Sequence, residues 1–151
     1  MKNKIVYKYF SDDDFLRISQ AIAEAEKTTA GEIKISFKEK SNLFEKQKSI
    51  KDLAVKEFYK LKMNETRDKT GILLFFHLLR REFFILADEG INSKVEQDTW
   101  NNIRDEILKE FSNGNFCKAM IDCIKKVGKV LTEHFPIKPD DVNELSNKVE
   151  I

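Results

Sequence analysis

The sequence predicts an α/β protein, a three-layer α/β/α sandwich with helices on both faces of a mixed central sheet, in the element order αβαββαα. Two short runs, Ile72-Leu73-Leu74-Phe75-Phe76 and Phe83-Phe84-Ile85-Leu86-Ala87, are apolar on both faces, as strands covered from both sides are. Four segments with apolar residues at helical spacing surround them. The chain has 151 residues with 12 Phe, 5 Gly and 2 Pro, enough for one aromatic-rich core and too little Gly and Pro for long linkers. One domain over 1–151 follows, with its core near 8–135 and an irregular tail at 136–151.

Ser11 places a capping hydroxyl before Asp12-Asp13-Asp14, and Phe15, Ile18, Ile22 and Ala25 then repeat helically, so a helix is expected near 12–27. Thr28-Thr29-Ala30-Gly31 breaks it. Glu32 to Lys38 alternates with period two, which predicts a strand with one wet face at a sheet edge. Leu43, Phe44, Ile50, Ala54, Phe58 and Leu61 fit a second helix near 43–62, firmest from 50, with Ser49 available as an internal restart. Asn64 to Gly71 is polar and aperiodic, hence a loop. Only Leu79-Arg80-Arg81-Glu82 separates the two apolar strands, too short for a crossover, so they form an antiparallel hairpin. Ser93-Lys94-Val95-Glu96 has the form of a capping box opening a third helix, which Asn113-Gly114 stops. A fourth helix is expected near 115–135, until Pro136 and Pro139. The first strand reaches the second through a helix, the connection that joins parallel neighbours.

The 27 basic and 26 acidic residues nearly cancel, which argues against a nucleic-acid binder. The N-terminus lacks an apolar leader and no segment has the apolar length of a membrane span, so a cytoplasmic protein is expected. Cys117 and Cys123, six apart on a helix, suit neither a disulfide nor a zinc site and are expected to be free core thiols. Cys117 has no Arg five residues beyond it to form a phosphate cradle. His134 has a structural reason to sit at a helix C-terminus, and His77 reads as a sheet-end residue with no nucleophile placed beside it by any motif. There is no Gly-rich phosphate loop.

If Arg80-Arg81 centre the hairpin turn, Asp88 lies opposite Leu73 and ends its strand beside the Asp68–Gly71 loop. With the first strand parallel to the second, its start comes to the same end. Glu32, Asp68, Asp88 and Glu89 then converge, and three or four carboxylates with loop carbonyls make an oxygen-rich site suited to calcium more than to magnesium's tight octahedron. Each carboxylate also has an ordinary reading as a solvated strand end or helix cap.

Four ordered segments resemble one family. Thr28-Thr29-Ala30-Gly31-Glu32-Ile33 is similar to the Thr-x-x-Gly-Glu-Ile signature of the TPM domain. Phe58 to Met63 with Thr66 to Leu73 resembles its Phe-x-x-Leu-x-Met…Thr…Arg-x-x-Gly-Val/Ile-Leu pattern. Ala87-Asp88-Glu89-Gly90-Ile91 resembles its Ala-Asp-x-Gly-Ile turn, and Trp100 stands at its tryptophan. Phe135-Pro136 and Asn143-Glu144-Leu145 resemble a short stand-alone bacterial form. The resemblance implies an α/β/α sandwich and a divalent cation, usually calcium, near the Ala-Asp-x-Gly-Ile turn. It also implies one of two roles, an assembly or interaction module that meets a protein partner, or an acid phosphatase. In the second, Asp68 and Asp88 would hold a metal and Arg67 would position phosphate through its guanidinium fork.

Overall fold

The computed structural model describes residues 5–151. Residues 1–4, part of the segment on which the expectation of no leader rests, lie outside the described residues. Ser11 caps α1 (Asp12–Glu26): its hydroxyl accepts the Asp14 N–H at 3.1 Å while the Asp14 carboxylate accepts the Ser11 N–H at 2.9 Å, a complete capping box. The chain then forms β1 (Glu32–Lys38), α2 (Ile50–Lys60), β2 (Gly71–His77), β3 (Glu82–Ala87), a one-turn α3 (Glu89–Asn92), α4 (Gln97–Phe111) and α5 (Phe116–His134). The sheet order is β1-β2-β3, with β1 parallel to β2 and β2 antiparallel to β3.

Strand alternation assigns the two faces. Ile33, Ile35, Phe37, Ile72, Leu74, Phe76, Phe83 and Ile85 join the core built with α1, α4 and α5, whereas Leu73, Phe75 and Phe84 pack with Leu53, Ala54, Phe58 and Met63 around α2. At about 25 cal/mol per Å2 of apolar surface, this two-sided burial is the main stabilising term. Gly128 lets α5 approach α1 closely: a Cβ there would stand 3.0 Å from that of Ala25.

Four expectations need correction. Residues 43–49 are turns, and the second helix begins at Ile50 with Ser49 as its cap, accepting the Asp52 N–H at 3.0 Å. The predicted wet face of β1 is covered, because the tail returns along this edge. Phe37 N–H donates to the Glu150 carbonyl and Glu150 N–H to that of Ile35, both at 2.9 Å. Lys34, buried beneath the tail, pairs with Glu150 at 3.0 Å. This pairing blunts an otherwise open strand edge.

The hairpin register is shifted by two. Ile72 faces Ala87 and His77 faces Glu82, so the turn is the four-residue Leu78–Arg81 with Arg81 at φ 56°. A two-residue Arg80-Arg81 turn would need positive φ at both positions as type I′, or at Arg80, where glycine is favoured, as type II′. The longer loop has it at Arg81 alone, while Leu78 and Leu79 donate to the carbonyls of Lys38 and Glu39 and prolong the β1 pairing. Asp88 therefore lies opposite Gly71 and not Leu73. The shift is even, so every side chain keeps its face.

Finally, Ser93 opens no helix. Its hydroxyl donates to the Gly90 carbonyl at 2.9 Å at the end of α3, and α4 starts at Gln97 without a side-chain cap. Asp88 has already started a helical turn at Glu89, which leaves Ser93 at that turn's C-terminal end.

Candidate functional site

The register places Glu32, Gly71 and Asp88 in one row at one end of the sheet, on the α2 side. Gly71 contributes no side chain, and the space above it is filled from outside. A Cβ there would meet the Met63 carbonyl at 3.2 Å and a Leu145 methyl at 3.6 Å. These two residues stand between the carboxylates and turn them to different neighbours.

Glu32 faces the tail. Its buried carboxylate accepts the Leu145 N–H, and burial pushes its pKa up to about 7. Glu26 at the end of α1 accepts the Ile33 N–H at 2.7 Å through one oxygen, while the other is buried without a hydrogen-bond partner among the described residues. Burial lifts it to about 7 as well.

Asp88 faces the 68–70 loop. Its Oδ1 accepts the Glu89 N–H at 2.8 Å, starting α3, while its Oδ2 is buried and has no hydrogen-bond partner among the described residues. Burial raises its pKa, against the pull of the Lys69 charge. An unpaired buried carboxylate oxygen is costly, and such atoms are rare. Next to it, Gly90 is pressed against backbone: an added Cβ would lie 2.3 Å from the Asp68 carbonyl oxygen and 2.4 Å from that of Lys69. Lys69 holds φ 56°, a left-handed kink that shapes this loop. One Asp88 carboxylate oxygen is thus left without a partner among the described residues, and the Asp68 and Lys69 carbonyls pack on Gly90 two residues later.

Asp68 and Glu89 both sit at this end with exposed side chains. The Asp68 carboxylate is engaged by Arg67, which donates to it at 2.9 and 3.1 Å and holds its pKa down. Among the described residues, no three His, Cys, Asp or Glu side chains meet in a metal-holding group. Any cation here would rest on Asp88 and carbonyls, a hard all-oxygen donor set that suits calcium and excludes the soft-ligand metals. By that test the residues fit the ion.

The Arg67 guanidinium is held by acids. Besides Asp68 it reaches Asp140 at 3.3 Å and Asp141 at 3.0 Å, and the Arg67 backbone N–H donates to the Glu144 carboxylate at 3.0 Å. This clamp joins the 66–70 loop to the tail. Only the Asp140-Asp141 doublet hinted at it, and nothing local assigns the doublet to Arg67.

One pairing escaped the sequence altogether: Ser41 Oγ lies 2.7 Å from His77 Nε2. It is not a nucleophile–base pair. His77 Nδ1 accepts the Arg80 N–H at 3.2 Å, so Nε2 carries the ring proton and donates to Ser41, leaving no free base. Burial and nearby Arg80 lower the His77 pKa and keep it neutral. The thiols are equally unsuited to attack. Burial raises Cys117 to about 11 and pushes Cys123 further up. A cavity of about 410 Å3 lies at the opposite end of the sheet among Phe10, Phe37, Phe76, Phe111 and Phe116, away from Glu32, Asp68, Asp88 and Glu89.

The model of the TPM domain family matches residues 6–130. Among solved structures, the BA42 protein of the psychrophilic bacterium Bizionia argentinensis is 34% identical, with 94% of each chain covered and a TM-score of 0.83. The N-terminal domain of a protein from P. gingivalis, at 15% identity, covers 84% of this chain and 79% of its own with a TM-score of 0.67, a likeness of fold. No curated protein matches.

Proposed function

This chain belongs to the TPM domain family, and from that premise we propose that it is a calcium-binding, non-catalytic module that works in the cytoplasm by meeting a protein partner. The single observation that carries the reading is the buried Oδ2 of Asp88, which has no hydrogen-bond partner among the described residues, two residues before Gly90, on which the Asp68 and Lys69 carbonyls pack. A cation there would satisfy that oxygen. Asp88 and the carbonyls of Asp68 and Lys69 would hold it, with the Glu89 and Asp68 carboxylates within the same acidic end and Glu32 committed to the tail. With few carboxylates, affinity should be modest, with Kd on the order of 10⁻⁴ to 10⁻³ M. Calcium would supply a cross-link between the 68–70 loop and the start of α3 and change the charge presented to a partner.

Chemistry on phosphomonoesters finds less support. Arg67 would have to leave Asp68, Asp140 and Asp141 to grip a phosphate, and Ser41, Cys117 and Cys123 are not activated nucleophiles. No helix among the described residues is long and apolar enough to cross a membrane.

The test is the melting temperature of chelator-treated protein with and without millimolar calcium. At the Kd given above, millimolar calcium is in about one- to tenfold excess and, binding only the folded state, adds about 0.4–1.4 kcal/mol. The gain should appear in the wild type and vanish in Asp88→Asn. An unchanged wild-type melting temperature would remove calcium from the account.

A further inference from the structure

At the end of the sheet away from Asp88, three large apolar side chains stand in water: Leu43 is 76% exposed, Phe44 88% and Leu79 66%. They belong to two loops that are fastened together. The Arg80 guanidinium, on the hairpin tip, donates to the carbonyls of Lys48 at 2.6 Å, Glu45 at 2.9 Å and Lys46 at 3.2 Å. Six residues of β2 separate this end from Gly71, about 20 Å at the rise of a strand.

The turn that carries Leu43 and Phe44 is built to display them. Asn42 Oδ1 accepts the N–H groups of Phe44 at 2.9 Å and of Glu45 at 3.0 Å, and the Glu45 carboxylate returns to accept the Asn42 N–H at 3.1 Å. Glu45 is itself buried, paired with Lys56 at 2.8 Å and Lys38 at 3.3 Å, which hold its pKa down to about 2. A buried, doubly paired carboxylate thus fixes a turn whose tip presents two apolar side chains to solvent. Such a rigid exposed pair marks a contact surface more than a failure to fold inward.

The rim says what would cover it. Lys40, Lys46, Lys48 and Arg81 are exposed and have no ion-pair partner among the described residues, and Lys51 follows on the first turn of α2. Of the acids at this end, Glu39 accepts the Val6 N–H, Glu45 is buried and Glu82 lies 3.7 Å from Arg80, while Asp52 is exposed beside Lys51. Beside the cavity lined by Phe37, Phe76 and Arg81, this end is thus apolar at its tip, with those lysines and Arg81 around it. We propose that the 41–48 turn and the Leu79–Arg81 hairpin tip dock the protein on the surface of an anionic lipid bilayer, Leu43, Phe44 and Leu79 entering the interface and the lysines facing the headgroups. A protein acceptor would need a pocket shaped for a protruding Phe-Leu pair. A bilayer interface accepts a wedge without one, and anionic headgroups match the charge.

Co-sedimentation of the full chain with vesicles of phosphatidylcholine, alone or with about one third phosphatidylglycerol, tests this. The protein should pellet with the anionic vesicles and stay in solution with the neutral ones. Binding should fall at least about tenfold in the double variant Leu43→Ser/Phe44→Ser, and severalfold when salt rises from about 0.1 M to about 0.5 M. Leu16→Ser, on α1 and also exposed, should change nothing, and circular dichroism should be the same for all variants. No binding to anionic vesicles, or binding that the double variant retains, overturns the proposal. So does a wild type that ignores vesicles and self-associates through Phe44, which would make this face a protein interface.

Discussion

The backbone N–H of Asp88 donates to the Gly71 carbonyl at 2.9 Å, and Gly71 of β2 pairs with Glu32 of β1, so a single glycine separates two carboxylates at one end of the sheet. Because Met63 and Leu145 fill the space above that glycine, the carboxylates do not share a site. Glu32 anchors the tail, and Asp88 is left with an oxygen that has no hydrogen-bond partner among the described residues.

Gly90→Ala should disrupt this end. The new Cβ would collide with the carbonyl oxygens of Asp68 and Lys69, backbone atoms that cannot rotate away. Overpacking of this kind costs about 1–3 kcal/mol. Thermal melting followed by the fluorescence of Trp100, the single and fully buried tryptophan, should show the loss. A melting temperature equal to wild type would contradict the packing described.

Glu26→Gln should stabilise the protein at pH 8 and leave it unchanged below about pH 4. Burial lifts Glu26 in the folded state to about 7, above the value near 4.3 of an unfolded chain. Its contribution is fully present below that unfolded value and is lost as pH rises through 7, when a buried carboxylate must ionise. Glutamine avoids ionisation and still accepts the Ile33 N–H. A gain of about 1–2 kcal/mol at pH 8 is expected, a few degrees in Tm for a chain of this size. An equal gain at both pH values would assign the effect to packing instead.

The sheet and its helices were legible because the apolar runs at 72–76 and 83–87, Ser11 before three aspartates and the 32–38 alternation are local signals of burial and capping. The site was legible only to its address. Sequence brings Asp88 and Glu32 to one sheet end, but whether they face each other depends on Met63 and Leu145, residues far from both in the chain. The hairpin shift arose because Arg-Arg does not favour the turn that the shorter register requires. The tail's cover of β1 left no periodic trace, since Val149 and Glu150 act as single contacts with no strand run around them.

Removing residues 140–151 should uncover the β1 edge and undo the Arg67 clamp. Val149 and Leu145 lose their burial and Lys34 loses Glu150. Stability should fall by about 2–4 kcal/mol, and sedimentation equilibrium should show self-association absent from the full chain, as open strand edges promote. A truncated protein that melts like the full one would show the tail to be ornamental.

Hydrolysis of p-nitrophenyl phosphate should stay far below about 1 s⁻¹, the low end of ordinary enzyme turnover. Any trace should be the same in wild type, Arg67→Ala and Asp88→Asn. Turnover at that level, lost in Asp88→Asn with unchanged circular dichroism, would make the protein an enzyme.

The most direct measurement is a calcium titration of the 15N-labelled protein followed amide by amide. The account predicts saturable shifts concentrated at Asp68–Gly71 and Asp88–Ile91, with the rest of the sheet and the 41–48 turn still, and no such shifts in Asp88→Asn. Shifts scattered over the exposed acids, or shifts that survive Asp88→Asn, would contradict it.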